Sequence, residues 1–383
     1  MTRLSLPTSL HDLPTPCLVL DAGRMERNID RMRARMADLG VPLRPHLKTG
    51  KSIEVAQQMM ATPQGPATVS TLAEARRFAQ AGVRDIVYAV GITPAKLPEI
   101  LDLRAQGVDL AVLLDSVEQA AAVADAARES GAVIPALIEI DCDGHRSGVQ
   151  SDDRDRLLAI AAALGEGGAL RGVLTHAGDS YGARGEAALR ACAEAERLAV
   201  VTAAQHLRAG GHACPVVSVG STPTALSATD LAGVTEVRAG VYVFFDLVMA
   251  GIGVCDHQEI ALSVLATVIG HQEDKGWILV DAGWMALSRD RGTASQDVDQ
   301  GYGLVCGVDG APFGDLIVAQ ANQEHGVLAL RTGSTGRLPR LAIGDRVRIF
   351  PNHACATAAQ HDRYHVVRGD DAVEAIWPRF GGW

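Results

Sequence analysis

The sequence is poor in aromatic residues, which make up 4% of it, and it carries no surplus of positive charge. Lys and Arg number 35 against 45 Asp and Glu, giving a formal net charge of −10 with no basic run or stripe. Nucleic acid and anionic membranes are therefore poor partners. A small anionic ligand has to be held by local donors. No apolar stretch reaches the length and purity of a membrane span. Residues 1–16 lack a charged region followed by an apolar core, so no secretion signal is expected. Internal repeats, low-complexity tracts and Pro/Gly/Ser linkers are also missing. The 7 cysteines, Cys17, Cys142, Cys192, Cys214, Cys255, Cys306 and Cys355, are odd in number and lack the spacing of a disulfide framework. Reduced thiols in the cytoplasm are expected, most of them acting as small buried hydrophobes.

What is present is an ample core and a repeating rhythm. With 48% hydrophobic residues in a chain of 383, one large domain plus a smaller one is the natural prior. Short apolar runs read as strands at residues 41–48, 67–70, 85–90, 109–114, 136–141, 172–177, 215–220 and 236–242. Helix-like stretches separate most of them. Residues 24–37 place Met25, Ile29, Met32 and Met36 at helical spacing, with Asp21 as a cap. Thr71 with Glu74, and Ser116 with Gln119, have capping-box spacing. Such alternation predicts a parallel sheet, closed into a (β/α)8 barrel, with a doubly wound open sheet as the rival. After about residue 250 the helical stretches vanish. Residues 261–269, 277–282, 316–321, 346–350, 364–368 and 373–377 read as strands of a mostly antiparallel β domain, and residues 17–20 are candidates to pair with it. The expected division is a barrel over 20–250 and a β domain from 1–19 plus 251–383.

In such a barrel the reacting groups sit at the C-terminal strand ends. Polar residues crowd there: Arg44, His46 and Lys48 on the first strand, Asp141 to Gly148 after the fifth, and Thr175 to Tyr181 after the sixth. Gly220-Ser221-Thr222 follows the seventh strand, and Arg238-Ala239-Gly240 with Tyr242 marks the eighth. Alternation puts Lys48 on the inward face, where a buried ammonium is costly without a task. A Schiff-base lysine fits, and a rim lysine with its ammonium in water fits equally well. Lys51 is a weaker rival. Glycines and hydroxyls after strands seven and eight suit a phosphate, although a Gly-Ser-Thr turn alone is usually only a loop. His353 and Cys355, at i and i+2, share a face if the chain stays extended, and imidazole plus thiolate suits zinc. By themselves they read rather as a buried Cys beside an ordinary His. His361 and Asp362 read as solvated loop residues.

Taken jointly, these stretches resemble one family. Pro45-His46-Leu47-Lys48-Thr49, preceded by Thr15-Pro-Cys-Leu-Val-Leu-Asp21, is similar to the opening of the alanine-racemase-like pyridoxal-phosphate (PLP) enzymes. Residues 144–149, 176–181, 220–222 and 236–240, and Pro351-Asn352-His353-Ala354-Cys355, resemble the D-serine dehydratase and D-threonine aldolase group. Runs at 218–224, 235–246 and 280–290 are most similar to its members acting on D-threo-3-hydroxyaspartate. The resemblance covers essentially the whole chain. It implies a homodimer with PLP on Lys48, and a divalent metal, zinc first with manganese or cobalt as alternatives, on His353 and Cys355. It places Arg146 near the cofactor's phenolic oxygen and His176 near its pyridine ring. Tyr181, Gly220, Ser221, Thr222, Gly240 and Tyr242 go near the phosphate or ring.

The implied reaction is a dehydratase one, turning D-threo-3-hydroxyaspartate into oxaloacetate and ammonia, or D-serine into pyruvate. The same parts permit a retro-aldol cleavage. His-x-Cys rather than His-x-Asp at the metal pair tilts the choice toward dehydration by analogy. A non-catalytic PLP carrier and a metal hydrolase are the rivals from other classes. A second substrate carboxylate needs a cation, for which Arg44, Arg146, Arg289 and His325 are the candidates.

Overall fold

Caps and buried stripes set the elements of the first two thirds of the chain. In the helix Ala22–Leu39, Met25, Ile29, Met32 and Met36 are all buried, and Asp21 Oδ1 accepts from Arg24 N at 2.9 Å. Thr71 Oγ1 caps Leu72–Gln80 through Glu74 N at 3.1 Å, and Glu74 Oε2 returns the bond to Ser70 N. Ser116 Oγ caps Val117–Ser130 in the same way through Gln119 N at 3.2 Å. The structure, a computed structural model, describes residues 9–144, 146–165 and 168–383. His145 and the first 8 residues of the expected β domain lie outside the described residues.

The chain divides into two compact units. One holds Met32–Lys48, Ala56–Gly240 and Gly382–Trp383, and the other holds the chain up to Arg31, Thr49–Val55 and Val241–Gly381. In the first unit, seven strands run parallel in the order Ala67–Val69, Asp85–Gly91, Asp109–Leu114, Ala136–Asp141, Leu170–Thr175, Val216–Val219, Glu236–Val237. Residues 42–47 close the ring, because Leu43 bridges Val237 and His46 bridges Thr68. The result is the expected (β/α)8 barrel.

Its first stave is less regular than residues 41–48 predict. Pro42 and Pro45 donate nothing, so only isolated bridges form and the chain turns at Leu47. The last strand also ends early, at Val237, and Val241–Val243 form a 3-10 turn. A buried cluster of Val87, Ala111, Leu113, Leu137 and Leu174 joins neighbouring staves.

In the second unit, Leu262–Gln272 pairs with Trp277–Val280 and with Arg346–Phe350. Gly326–Leu330, Pro312–Ala321 and Leu304–Cys306 complete an antiparallel ring of six strands. Cys17–Asp21 pairs antiparallel with Leu262–Gln272 and parallel with Arg363–Val367, which pairs in turn with Ala375–Pro378. The strands Leu304–Cys306 and Gly326–Leu330 were not among the expected ones, and short helices at Trp284–Leu287 and Ala354–Ala358 interrupt the all-strand expectation. A buried cluster of Leu10, Leu13, Cys17, Val19, Leu265, Val367 and Val373 forms part of this core.

All seven cysteines are free, and Cys17, Cys214, Cys255 and Cys306 are buried. No helix among the described residues is long and apolar enough to cross a membrane.

Candidate active site

Two groups of residues carry chemistry, one in each unit. In the barrel unit, Lys48 lies just past the last ladder bond of the first stave, Leu47 N to Thr68 O at 2.9 Å. Because the chain turns there, Lys48 is exposed, at the rim rather than buried on the inward face. Among the described residues it makes no ion pair. Its charge is nevertheless felt by two histidines. Burial, then Lys48, Arg238 and His176, hold His46 far below the usual imidazole range. Burial, followed by Lys48, Arg146 and Arg238, pushes His176 down to about 3 against the support of Gly220.

His176 follows the strand Leu170–Thr175, and its Nδ1 lies 2.6 Å from Gly220 O. A carbonyl only accepts, so Nδ1 carries the proton and Nε2 of the neutral ring is an acceptor. The Tyr181 ring stands 6.1 Å from that of His176. Arg146 is exposed, and it helps to lower the carboxyl of buried Glu139, which burial otherwise raises.

The turn after Val216–Val219 is built from the inside. Ser221 Oγ accepts from Thr224 N at 3.2 Å, and Ser221 N donates to Thr224 Oγ1 at 3.1 Å, a closed capping box for Thr222–Ser227. Gly220 has φ +156°, and a Cβ there would stand 1.8 Å from Arg238 O. Only glycine lets the two strand ends approach so closely. Gly220 and Ser221 thus use their own donors to shape the loop, while Thr222 begins the helix. Gly240 is buried at the end of this unit.

Arg44 is not available as a substrate cation. Its Nε donates to Glu236 Oε2 at 2.8 Å and its Nη1 to Asp85 Oδ1 at 2.6 Å. Arg238 donates to Ser218 Oγ at 2.8 Å and to Thr175 O at 2.6 Å.

In the other unit, the His353–Cys355 pair forms differently from the extended segment expected. His353 is extended, but Asp246 Oδ2 accepts from Ala354 N at 3.0 Å and the chain turns into the helix Ala354–Ala358, so Cys355 sits in a first helical turn. The side chains still meet, within hydrogen-bond reach. His353 Nδ1 donates to Asp290 Oδ2 at 2.8 Å, so Nε2 is the ring nitrogen that could serve a metal. Burial alone would lower the basicity of His353; Asp290 and Cys355 overcome it and push the imidazole up to about 11. Thr49 Oγ1 stands 3.2 Å from Cys355 Sγ.

An imidazole oriented by a carboxylate beside a thiol fits a divalent metal. No group of three or more His, Cys, Asp or Glu suited to a metal occurs among the described residues, so other ligands have to complete the coordination. Tyr242 belongs to this unit and is buried. His361 Nε2 donates to Ala286 O at 3.0 Å, and exposed Asp362 pairs with Arg363, so neither joins the pair. Arg289 and His325 are exposed, and the Arg289 guanidinium lies over the Trp284 ring at 4.8 Å.

Sequence reasoning singled out neither Asp290 nor Glu196. Glu196 had a signal: it falls at helical spacing with Leu189, Ala193 and Val200 on the buried stripe of Gly185–Ala209.

The barrel unit fits PLP by the same kind of test. An amine with no ion pair among the described residues stands near a neutral imidazole, a tyrosine and a glycine-dependent loop.

Residues 20–248 match the family model for the alanine racemase N-terminal domain, and residues 261–367 match a serine dehydratase domain. The chain is 55% identical over 378 residues to a D-threo-3-hydroxyaspartate dehydratase of Delftia sp. (strain HT23), covering 98% of this chain and 99% of that one. A solved structure of a D-threo-3-hydroxyaspartate dehydratase with one cysteine changed to alanine, in the metal-free form, superposes with a TM-score of 0.94 at 54% identity, over 98% of this chain and 100% of that one. A D-threonine aldolase of Arthrobacter sp is 32% identical over 371 residues, 95% of this chain and 91% of that one.

Proposed function

Since the chain belongs to the family of the alanine racemase N-terminal domain, we propose that it is a PLP- and divalent-metal-dependent dehydratase of D-3-hydroxy amino acids. D-threo-3-hydroxyaspartate, converted to oxaloacetate and ammonia, is its foremost substrate, with D-serine to pyruvate as a second. The likeness to a dehydratase at 55% identity across 98% of the chain carries this reading, against 32% for an aldolase.

When bound, PLP supplies an electron sink for charge at the substrate α-carbon, and the metal, zinc foremost, supplies a Lewis acid for the departing β-hydroxyl. Lys48 Nζ holds the cofactor and, once released, takes the α-proton. Neutral His176 offers an acceptor atom and adds no charge of its own beside the ring. Arg146 serves the phenolic oxygen. Tyr181, Thr222, Gly240 and Tyr242 contact phosphate or ring, and Gly220 with Ser221 sets the shape of the loop. His353 and Cys355 hold the metal, and Asp290 fixes the imidazole so that Nε2 faces it. The reading includes PLP on a barrel domain over 20–250 and the metal on a β domain from 1–19 plus 251–383. It also includes a homodimer in the cytoplasm, for which the free thiols and the family resemblance are the support.

The test is a 2-oxo-acid assay across D and L 3-hydroxy amino acids, with and without chelator, measuring glycine in parallel. Oxaloacetate and ammonia from D-threo-3-hydroxyaspartate, lost with chelator, is the expected result. Glycine as the main product overturns dehydration in favour of aldol cleavage. Bound PLP without turnover of any substrate makes the chain a carrier.

A further inference from the structure

Glu196 stands where an apolar side chain belongs. In the helix Gly185–Ala209 it lies on the stripe of Leu189, Ala193, Val200, Ala203 and Leu207, and it is 2% exposed. A carboxyl group taken out of water is costly unless donors meet it. Here its Oε1 accepts from Ala177 N at 3.1 Å and from Gly220 N at 2.9 Å, and the Thr224 hydroxyl bonds to the same carboxyl.

The two backbone donors belong to separate loops. Ala177 follows His176 directly, and Gly220 directly precedes Ser221 and Thr222. Gly220 is gripped on both sides, its N–H by Glu196 and its carbonyl by His176 Nδ1. One oxygen of a rigid helix therefore fixes the distance between the histidine-bearing strand end and the loop after Val216–Val219. The capping box of Ser221 and Thr224 is tied to the same carboxyl through Thr224.

We propose that Glu196 is a positioning residue, which locks His176 and the Gly220–Thr222 loop into the one arrangement that receives PLP. The inference rests on the PLP reading above. Glu196 itself acts only through the backbone of Ala177 and Gly220 and through Thr224. What counts is the reach of Oε1. Gln keeps that reach and loses the charge. Asp keeps a carboxyl but is one methylene shorter, about 1.5 Å, which takes both backbone contacts beyond hydrogen-bond distance.

PLP is titrated into the cofactor-free wild type, Glu196→Gln and Glu196→Asp, and amide hydrogen exchange is followed in the cofactor-free proteins. Glu196→Gln should bind PLP within about threefold of wild type, whereas Glu196→Asp should bind at least about tenfold more weakly through lost buried hydrogen bonds. Exchange should accelerate together at 176–182 and 219–224 in Glu196→Asp and stay slow in Glu196→Gln. A merely structural role would lower the melting temperature without reversing the order of charge and reach. Wild-type PLP affinity in Glu196→Asp, or equal loss in both variants, overturns the inference. If the wild type itself takes up no PLP, the reading of function falls, and exchange decides the clamp. Acceleration confined to the two loops upholds it, and unchanged exchange removes it.

Discussion

Removing the carboxylate of Glu236 is the sharpest stability test of the barrel. Its Oε2 accepts from Arg44 Nε at 2.8 Å and its Oε1 from Ser218 Oγ at 2.7 Å, on the strand that the first stave closes against. The side chains of Arg44 and Glu236 are each 11% exposed. Arg238, also buried, draws on Glu236 as its leading counter-charge, and Arg44 opposes it. Burial brings Arg238 down only to about 10, so both guanidiniums are charged at neutral pH.

Glu236→Ala leaves two like charges in the interior with less compensation. Losing one partner of a buried pair costs about 3–5 kcal/mol. At about 2–4 °C for each kcal/mol in a large domain, melting should fall by roughly 6–20 °C. Asp85 also pairs with Arg44, but its side chain is 43% exposed. Asp85→Ala should therefore cost no more than about 1 kcal/mol. Urea midpoints and thermal melts read by circular dichroism give both numbers. Equal costs for the two variants, or less than about 1 kcal/mol for Glu236→Ala, would refute the reasoning.

His176 should stay neutral with its proton on Nδ1 from pH 5 to 8, as read by nitrogen-15 NMR; a titration midpoint near 6.5 contradicts this. The sign of the linked stability follows. The unfolded chain takes up a proton below about 6.5 that the folded chain refuses until about 3, so the contribution is complete above 6.5 and is lost as pH falls through that window. His353→Ala and Cys355→Ala should each lose bound metal by elemental analysis and nearly abolish elimination while PLP stays bound. Full activity in a metal-free preparation speaks against the Lewis-acid role. Gly220→Ala places a methyl 1.8 Å from Arg238 O, so it should yield misfolded protein or protein unable to retain PLP. A soluble, PLP-loaded variant with the wild-type melting temperature would contradict that geometry.

The barrel was legible because its pattern is local. The strands at 109–114 and 136–141 end where the apolar runs end, and three helix starts carry their caps in the sequence. The first stave was harder, since two prolines remove ladder donors and its pairing is set by distant residues, Val237 and Thr68. Leu304–Cys306 is too short to stand out, and Gly326–Leu330 is placed by its hairpin neighbour Pro312–Ala321 on one side and by the distant Trp277–Val280 on the other.

The His353–Cys355 pair was visible as residue types but not as geometry. Spacing suggested an extended segment, whereas an aspartate more than a hundred residues away accepts from Ala354 N and turns the chain into a helix. The exposure of Lys48 depends on the turn at residues 47–50, which alternation in a strand cannot foresee. Glu196 and Asp290 were missed for one reason: a carboxylate reads as solvated until its donors are located in space.

Attachment of the cofactor can be read at a single nitrogen. The PLP-loaded protein is reduced with borohydride, digested, and its peptides are weighed. The added mass should fall on Lys48, leave Lys51 unmodified, and disappear in Lys48→Ala. A label on another lysine, or none on a protein that otherwise folds as wild type, would contradict the account.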